Sequence, residues 1–172
     1  MTLSWTFTAA AIALLICAAL HDLAVRTVPN LLSASIMVLG LSLRLIDHSL
    51  LESLGVACFC FMVLTLLWRA GFIGGGDVKL WSATVLLIPP HWQAEFSFFY
   101  RVLLGGGILA VIYLSLRFVI QRPRPSRSGS LLKRAMRAEA WRICRRGPLP
   151  YAFAIASGAI LSLLPISSLA LR

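Results

Sequence analysis

Two of the six acidic side chains of this 172-residue sequence, Asp22 and Asp77, border apolar runs, Asp22 closing one and Asp77 opening another. Ionisable groups at membrane depth are costly, so they tend to face a bundle interior or a water-filled cavity and to be functional. Two carboxylates held close together cannot both ionise, and one proton is shared between them. The ionised member of such a pair deprotonates a water that attacks a peptide carbonyl, and the protonated member donates to the carbonyl oxygen. This chemistry needs no metal, no cofactor and no nucleophilic side chain. The sequence has no H-E-x-x-H and no G-x-S-x-G. The competing reading of the pair is topological, with both residues serving as border charges or helix caps.

The surroundings of the two aspartates differ. Asp77 follows Gly74-Gly75-Gly76, and residues without a Cβ permit φ > 0 and close approach of a second backbone. An extended substrate strand could lie against such a turn, with the carboxylate beside it. A helix beginning near Asp77 would favour the carboxylate through its dipole. The plainer alternative is a flexible turn with an Asp N-cap. Asp22 precedes a segment in which Arg26 is the only cation and Pro29 restricts Val28 to extended geometry, so that Pro29-Asn30 marks a turn into a second helix. Lys79 either orients charge near Asp77 or snorkels as an anchor. His21, beside Asp22, is either a tuner of that carboxylate or a polar border residue.

The elements that must position these residues are set by lipid. The chain is 59% hydrophobic with mean hydropathy +0.88, against roughly 45–50% apolar usage in soluble domains. A helix needs about 20 apolar residues to cross a hydrocarbon core of roughly 30 Å. Leu3–Leu20, Leu51–Trp68 and Val102–Ile120 satisfy this. Leu31–Ile46 is shorter and carries Arg44 close enough to its end to snorkel. Val78–Ile88 is stopped by Pro89-Pro90, and Leu149–Leu164 is bounded by Pro150 and Pro165. The expected fold is therefore all-α, a polytopic membrane bundle of about six spans forming a single domain over 1–172. The first run lacks the basic start of a secretory signal, so it is expected to remain as a span.

Thirteen of the sixteen Lys and Arg residues then fall on one side: Arg26, Arg69, Lys79, Arg117 and the run from Arg122 to Arg146. Cytoplasmic loops carry such an excess, which puts both termini outside and the two aspartates at the cytoplasmic face of the membrane. Asp47, Glu52 and Glu95 fall on the outer side, in loops or helix ends that need no special account. The net charge of +10 is concentrated on one membrane face without the interleaved aromatics of a stacking surface, so no nucleic-acid partner is expected. Residues 121–148 form a basic cytoplasmic loop. Within it, Leu131–Arg146 has the pattern of an amphipathic interfacial helix using Leu131, Leu132, Met136 and Trp141. Attraction to anionic lipid accounts for its charge, and Glu139 is expected to be a solvated partner for its Arg or Lys residues. The four cysteines, Cys17, Cys58, Cys60 and Cys144, include no C-x-x-C pair and read as buried small hydrophobes rather than a metal site.

Three blocks together carry a resemblance. Asp22 with Val28-Pro29-Asn30, then Gly74-Gly75-Gly76-Asp77-Val78-Lys79-Leu80, and then Pro150-Tyr151-Ala152-Phe153-Ala154-Ile155-Ala156-Ser157-Gly158 are similar to those of the type IV prepilin peptidases, a group of GxGD aspartic peptidases. The resemblance implies that Asp22 and Asp77 form a catalytic dyad, with Gly74, Gly75, Gly76, Lys79, Pro29, Asn30, Arg26, Pro150 and Tyr151 binding substrate or shaping the site. It implies prepilin or pseudopilin substrates whose short basic leader is cut at the cytoplasmic face. Larger members carry an insertion with paired C-x-x-C motifs and also methylate the product. This chain has no such insertion and no cysteine pairs, and so resembles the short peptidase-only members that serve Flp pili of tight-adherence systems, and methylation is not carried over. The segment after the first aspartate is often more basic in that family, which shifts the expected leader contacts towards the Arg122–Arg146 loop. Two other readings stay open: a non-enzymatic membrane scaffold or transport subunit, and a GxGD peptidase that cuts within transmembrane segments. Oligomeric state leaves no mark in the sequence.

Overall fold

The computed structural model describes residues 2–120, 131–145 and 149–164. Those residues form seven helices: α1 (Thr2–Val25), α2 (Asn30–Ile46), α3 (Leu50–Arg69), α4 (Gly75–Val85), α5 (Trp92–Val119), α6 (Leu131–Cys144) and α7 (Tyr151–Leu163). The architecture is an all-α membrane bundle. Parts of the basic run, at 121–130 and 146–148, lie outside the described residues, as do Pro165 and Arg172.

Each of the six apolar runs becomes a helix, but the helices are unequal. Within α1 the stretch Thr6–Val25, and the whole of α3 and α5, are long and apolar enough to cross a membrane, whereas α2 and α7 are shorter apolar helices. The fourth expected span, α4, is an 11-residue helix, about 16 Å long at 1.5 Å per residue. Every residue from Leu80 to Ile88 is buried, the pattern of a helix apolar all round and enclosed by its neighbours. Its neighbours are α2, α3 and α7. It ends at Val85, and turn hydrogen bonds from Leu87 N–H to the Thr84 carbonyl and from Ile88 N–H to the Val85 carbonyl carry the chain on to Pro89, where the residue before proline is driven out of the helical region.

Small residues let the shell close on this centre, as is usual where helices pack in lipid. A Cβ on Gly40 of α2 would lie 2.7 Å from the Leu86 side chain, and one on Gly158 of α7 would lie 2.7 Å from Val102 of α5. The buried face of α7, with Ala152, Ala154, Ala156 and Ala159, packs between α1 and α5 and also touches α4.

Three expectations for the end of the bundle away from Asp22 and Asp77 need correction. Helix α5 starts at Trp92, ten residues before the apolar run at Val102, so Glu95 lies in its first turn, one of the expected helix ends, and Arg101 is helical. Arg101 Nη1 donates to the Leu161 carbonyl at 2.6 Å and to Ser162 Oγ at 3.1 Å. Glu95 is 7% exposed, and neither carboxyl oxygen has a hydrogen-bond partner. Arg44 does not snorkel but is 5% exposed; it is held by Asp47 at 3.2 Å and the Leu87 carbonyl at 3.4 Å. The cysteine expectation holds for Cys60, which is buried, but Cys17 and Cys58 are exposed on the outer faces of their helices.

Candidate active site

Asp22 occupies the last turn of α1 and is 5% exposed. Its Oδ2 accepts the Ala152 N–H at 3.3 Å. Ala152 is in the first turn of α7, where N–H groups have no intrahelical acceptor, and the residue before that helix, Pro150, supplies no side-chain cap. Asp22 therefore acts as a cap delivered from another helix. The contact draws the Pro150-Tyr151 segment to the first aspartate across 130 residues of sequence.

Asp77 is fixed locally. Gly74 stands at the N-cap of α4 and Asp77 three residues on, in the first turn. The Asp77 carboxylate accepts a hydrogen bond from the Gly74 backbone, the reciprocal half of a capping box. A Cβ on Gly74 would lie 3.0 Å from Asp77 Oδ2. The role of the glycine run therefore differs from the expectation. Gly74 has φ −74° and ψ 144°, Gly75 and Gly76 are the first helical residues, and among the described glycines only Gly71 has positive φ, +82°. At Gly74 the missing side chain makes room for the aspartate itself, and at Gly75 for the Trp68 indole nitrogen, 3.2 Å from where a Cβ would stand.

The two carboxylates line one cleft of about 720 Å³ with Arg26, Asn30, Lys79 and Tyr151 among its other walls. Lys79 Nζ donates to Asn30 Oδ1 at 3.2 Å, joining α4 to the start of α2. Tyr151 stacks on Trp81 with ring centroids 6.0 Å apart. Gly74, Gly75 and Gly76 also line the cleft, whereas Pro29 and Pro150 stand behind it, as the residues preceding α2 and α7. His21 turns to the Thr27 carbonyl, 2.7 Å from Nδ1. Asp77 lies just before the apolar run of α4, at the polar mouth. Burial, and secondly the charge of Asp22, push its carboxyl up from 3.8 to about 7, against the pull of the Gly74 hydrogen bond. The aspartates are thus close enough to act on each other electrostatically, and near neutral pH Asp77 holds a proton for much of the time.

A family model described as the type IV leader peptidase family matches residues 9–115. The chain belongs to that family. Membership makes it a peptidase, and its apolar helices make it a membrane peptidase. The match takes in both aspartates, Arg26, Asn30, the glycine run and Lys79; it stops before α6 and α7, so the Pro150–Gly158 block lies beyond it. No curated protein and no solved structure matches the chain.

Sequence reasoning missed other parts of the peptidase's cleft. Phe72, Ile73 and Leu149 contribute to its walls, and no spacing singles them out. It also missed a polar cluster behind Arg26. Glu139 is not simply solvated within the basic loop but pairs with Arg26 and Arg142, and accepts a hydrogen bond from Tyr113 of α5. The available signal was that Glu139 is the one acid in a basic run and Tyr113 the one hydroxyl-bearing aromatic in the apolar run that precedes it. Among the described residues, no group of three or more His, Cys, Asp or Glu could hold a metal ion.

Proposed function

We propose that Asp22 and Asp77 are the catalytic dyad of an aspartic endopeptidase that removes the leader from type IV, Flp-like prepilins at the cytoplasmic membrane face. The observation that carries this reading is the meeting of two carboxylates from different helices in one polar cleft, with Asp77 pushed up to about 7. One shared proton at neutral pH is what the chemistry needs.

In the reaction the ionised aspartate takes a proton from water as the water oxygen bonds to the scissile carbonyl carbon, while the protonated aspartate gives its proton to the carbonyl oxygen. The tetrahedral intermediate then returns a proton to the second aspartate, ionised by its donation to the carbonyl oxygen, the C–N bond breaks, and the leaving amine takes from the first aspartate the proton that the water had given. The Ala152 N–H on Asp22 and the Gly74 N–H on Asp77 hold the two carboxylates in place, and no step uses a metal or cofactor.

The bias of positive charge supports an orientation with the cleft towards the cytoplasm and both termini outside. Substrates are then prepilins or pseudopilins presenting a basic leader. The loop at 121–148, with Met136 and Trp141 exposed on α6, rests on anionic lipid and contributes to leader affinity. Unchanged cleavage after charge neutralisation of that loop would remove the leader role.

The test is co-expression of a pilin precursor with the wild-type chain, Asp22→Asn and Asp77→Asn. Processing by the wild type alone is the expected result, and processing by both variants would make the dyad reading wrong. The cut position separates leader removal from intramembrane cleavage, because a leader is cut at the membrane border.

A further inference from the structure

Glu139 of α6 ties together residues far apart in the chain. Its Oε1 accepts hydrogen bonds from the Arg26 guanidinium and the Tyr113 hydroxyl, and its Oε2 accepts one from Arg142 Nη1 at 3.2 Å. Arg26 Nη2 also donates to Tyr113 Oη at 3.0 Å, with its guanidinium carbon 5.5 Å from the centre of that ring. Arg142 donates in turn to the carbonyls of Leu23 at 3.0 Å and Ala24 at 2.8 Å. Those carbonyls belong to the last turn of α1, where helices leave acceptors unsatisfied and favour a cation. It is the same turn that carries Asp22.

The backbone of Arg26 points the same way independently. Its φ is +62°, a region uncommon for residues other than glycine. Its N–H donates to the Asp22 carbonyl at 2.8 Å, the left-handed helix cap whose usual occupant is glycine. Glycine would form this cap at lower conformational cost, so what arginine adds is its side chain. That side chain is 9% exposed and lines the cleft beside Asp22.

We propose that Glu139, supported by Tyr113 and Arg142, is a positioning residue that latches α6 to the Asp22 turn of α1 and holds the Arg26 guanidinium at the cleft wall. The proposal rests on the reading of Asp22 and Asp77 as the catalytic pair. Arg26 stands four residues after Asp22, within electrostatic reach of it. With Glu139 in place the guanidinium is engaged on the far side by a charge-assisted bond. Loss of either partner of that bond loosens the tie between α6 and the Asp22 turn, and the acid drifts out of line with Asp77. A latch of this kind affects the chemical step more than leader binding.

The test compares Glu139→Gln, Glu139→Asp and Arg26→Gly with the wild type in the purified full chain. It measures kcat and KM for processing of a pilin precursor, together with thermal unfolding. Asp22→Asn and Asp77→Asn run alongside. Glu139→Gln and Arg26→Gly should each lower kcat about tenfold or more, the scale of a lost charged hydrogen bond, with KM changed by less than about twofold. Glu139→Asp should recover part of the loss. Arg26→Gly should keep the melting temperature, because glycine suits the left-handed backbone, and so it separates positioning from folding even where Glu139→Gln folds poorly. Wild-type kcat in Arg26→Gly, or a loss in Glu139→Gln that only follows its melting temperature, overturns the latch. Either result with Asp22→Asn inactive leaves the dyad standing. Activity in both aspartate variants removes the dyad, and the latch with it.

Discussion

Both ends of the bundle bury acids, and they do so differently. At one end Asp22 and Asp77 each accept a backbone N–H, from Ala152 and Gly74, and line a cleft of about 720 Å³ that also takes in Arg26, Asn30 and Lys79. At the other end Glu95 lines a cleft of similar size, about 730 Å³, walled by apolar residues such as Phe59, Val63 and Phe96. Its oxygens have no hydrogen-bond donor, and its charged neighbour is the buried Arg44. Burial alone therefore does not mark chemistry in this fold. What distinguishes the Asp22–Asp77 end is that a backbone donor holds each carboxylate, in a cleft whose walls carry further polar groups.

The sharpest way to break this contrast is to neutralise acids at both ends. Asp22→Asn and Asp77→Asn should each reduce cleavage by at least about a thousandfold, within the span of acid–base catalysis, while Glu95→Gln should cleave as the wild type does. Equal losses at the two ends would erase the distinction. Next in size is Arg44→Leu, expected to cost about 2 kcal/mol, the scale of stranding buried polar groups. Thermal unfolding should register that loss, with cleavage retained at a permissive temperature. Gly74→Ala should lower kcat roughly tenfold, as for a misaligned acid, because its Cβ would press on Asp77 Oδ2 while its backbone angles suit alanine. Gly55→Ala, in the Glu95 cleft with open space around its Cβ position, should leave kcat unchanged. The smallest expected effect is on pH. Folded Asp77 keeps its proton to about pH 7, whereas an unperturbed aspartate loses it near 3.8. The native state therefore binds the extra proton between those values, and its stability falls as pH rises through that window. Asp77→Asn should flatten that slope in a series of melting curves, and cleavage by the wild type should decline as the pH passes above about 7.

The apolar runs, the Pro and Gly boundaries and the two border aspartates were legible because each follows from composition and local backbone rules. The start of α5 was not, since Gln93, Glu95, Ser97 and Arg101 break the apolar window, and their compatibility with a buried helix comes from partners elsewhere, such as Leu161 and Ser162 for Arg101. Arg44 was misread for a related reason: Asp47 stands only three residues on, but the Leu87 carbonyl, from the turn after α4, becomes visible only when that turn meets α2. The glycines before Asp77 read as open space for a ligand, and a capping carboxylate fills part of it. The contact between Asp22 and Ala152 has no local signature at all, although the two blocks that it joins were both prominent.

The enclosure of α4 also bears on how the bilayer acts on this protein. Helices that meet lipid adjust to membrane thickness by tilting or by deforming the bilayer around them. Helix α4 and the turn that follows it are enclosed by protein from Leu80 to Ile88, so thickness reaches the helix only through α2, α3 and α7. Asp77 thus rides on an element shielded from the membrane's mechanical state, whereas Asp22 stands at the end of one that is not.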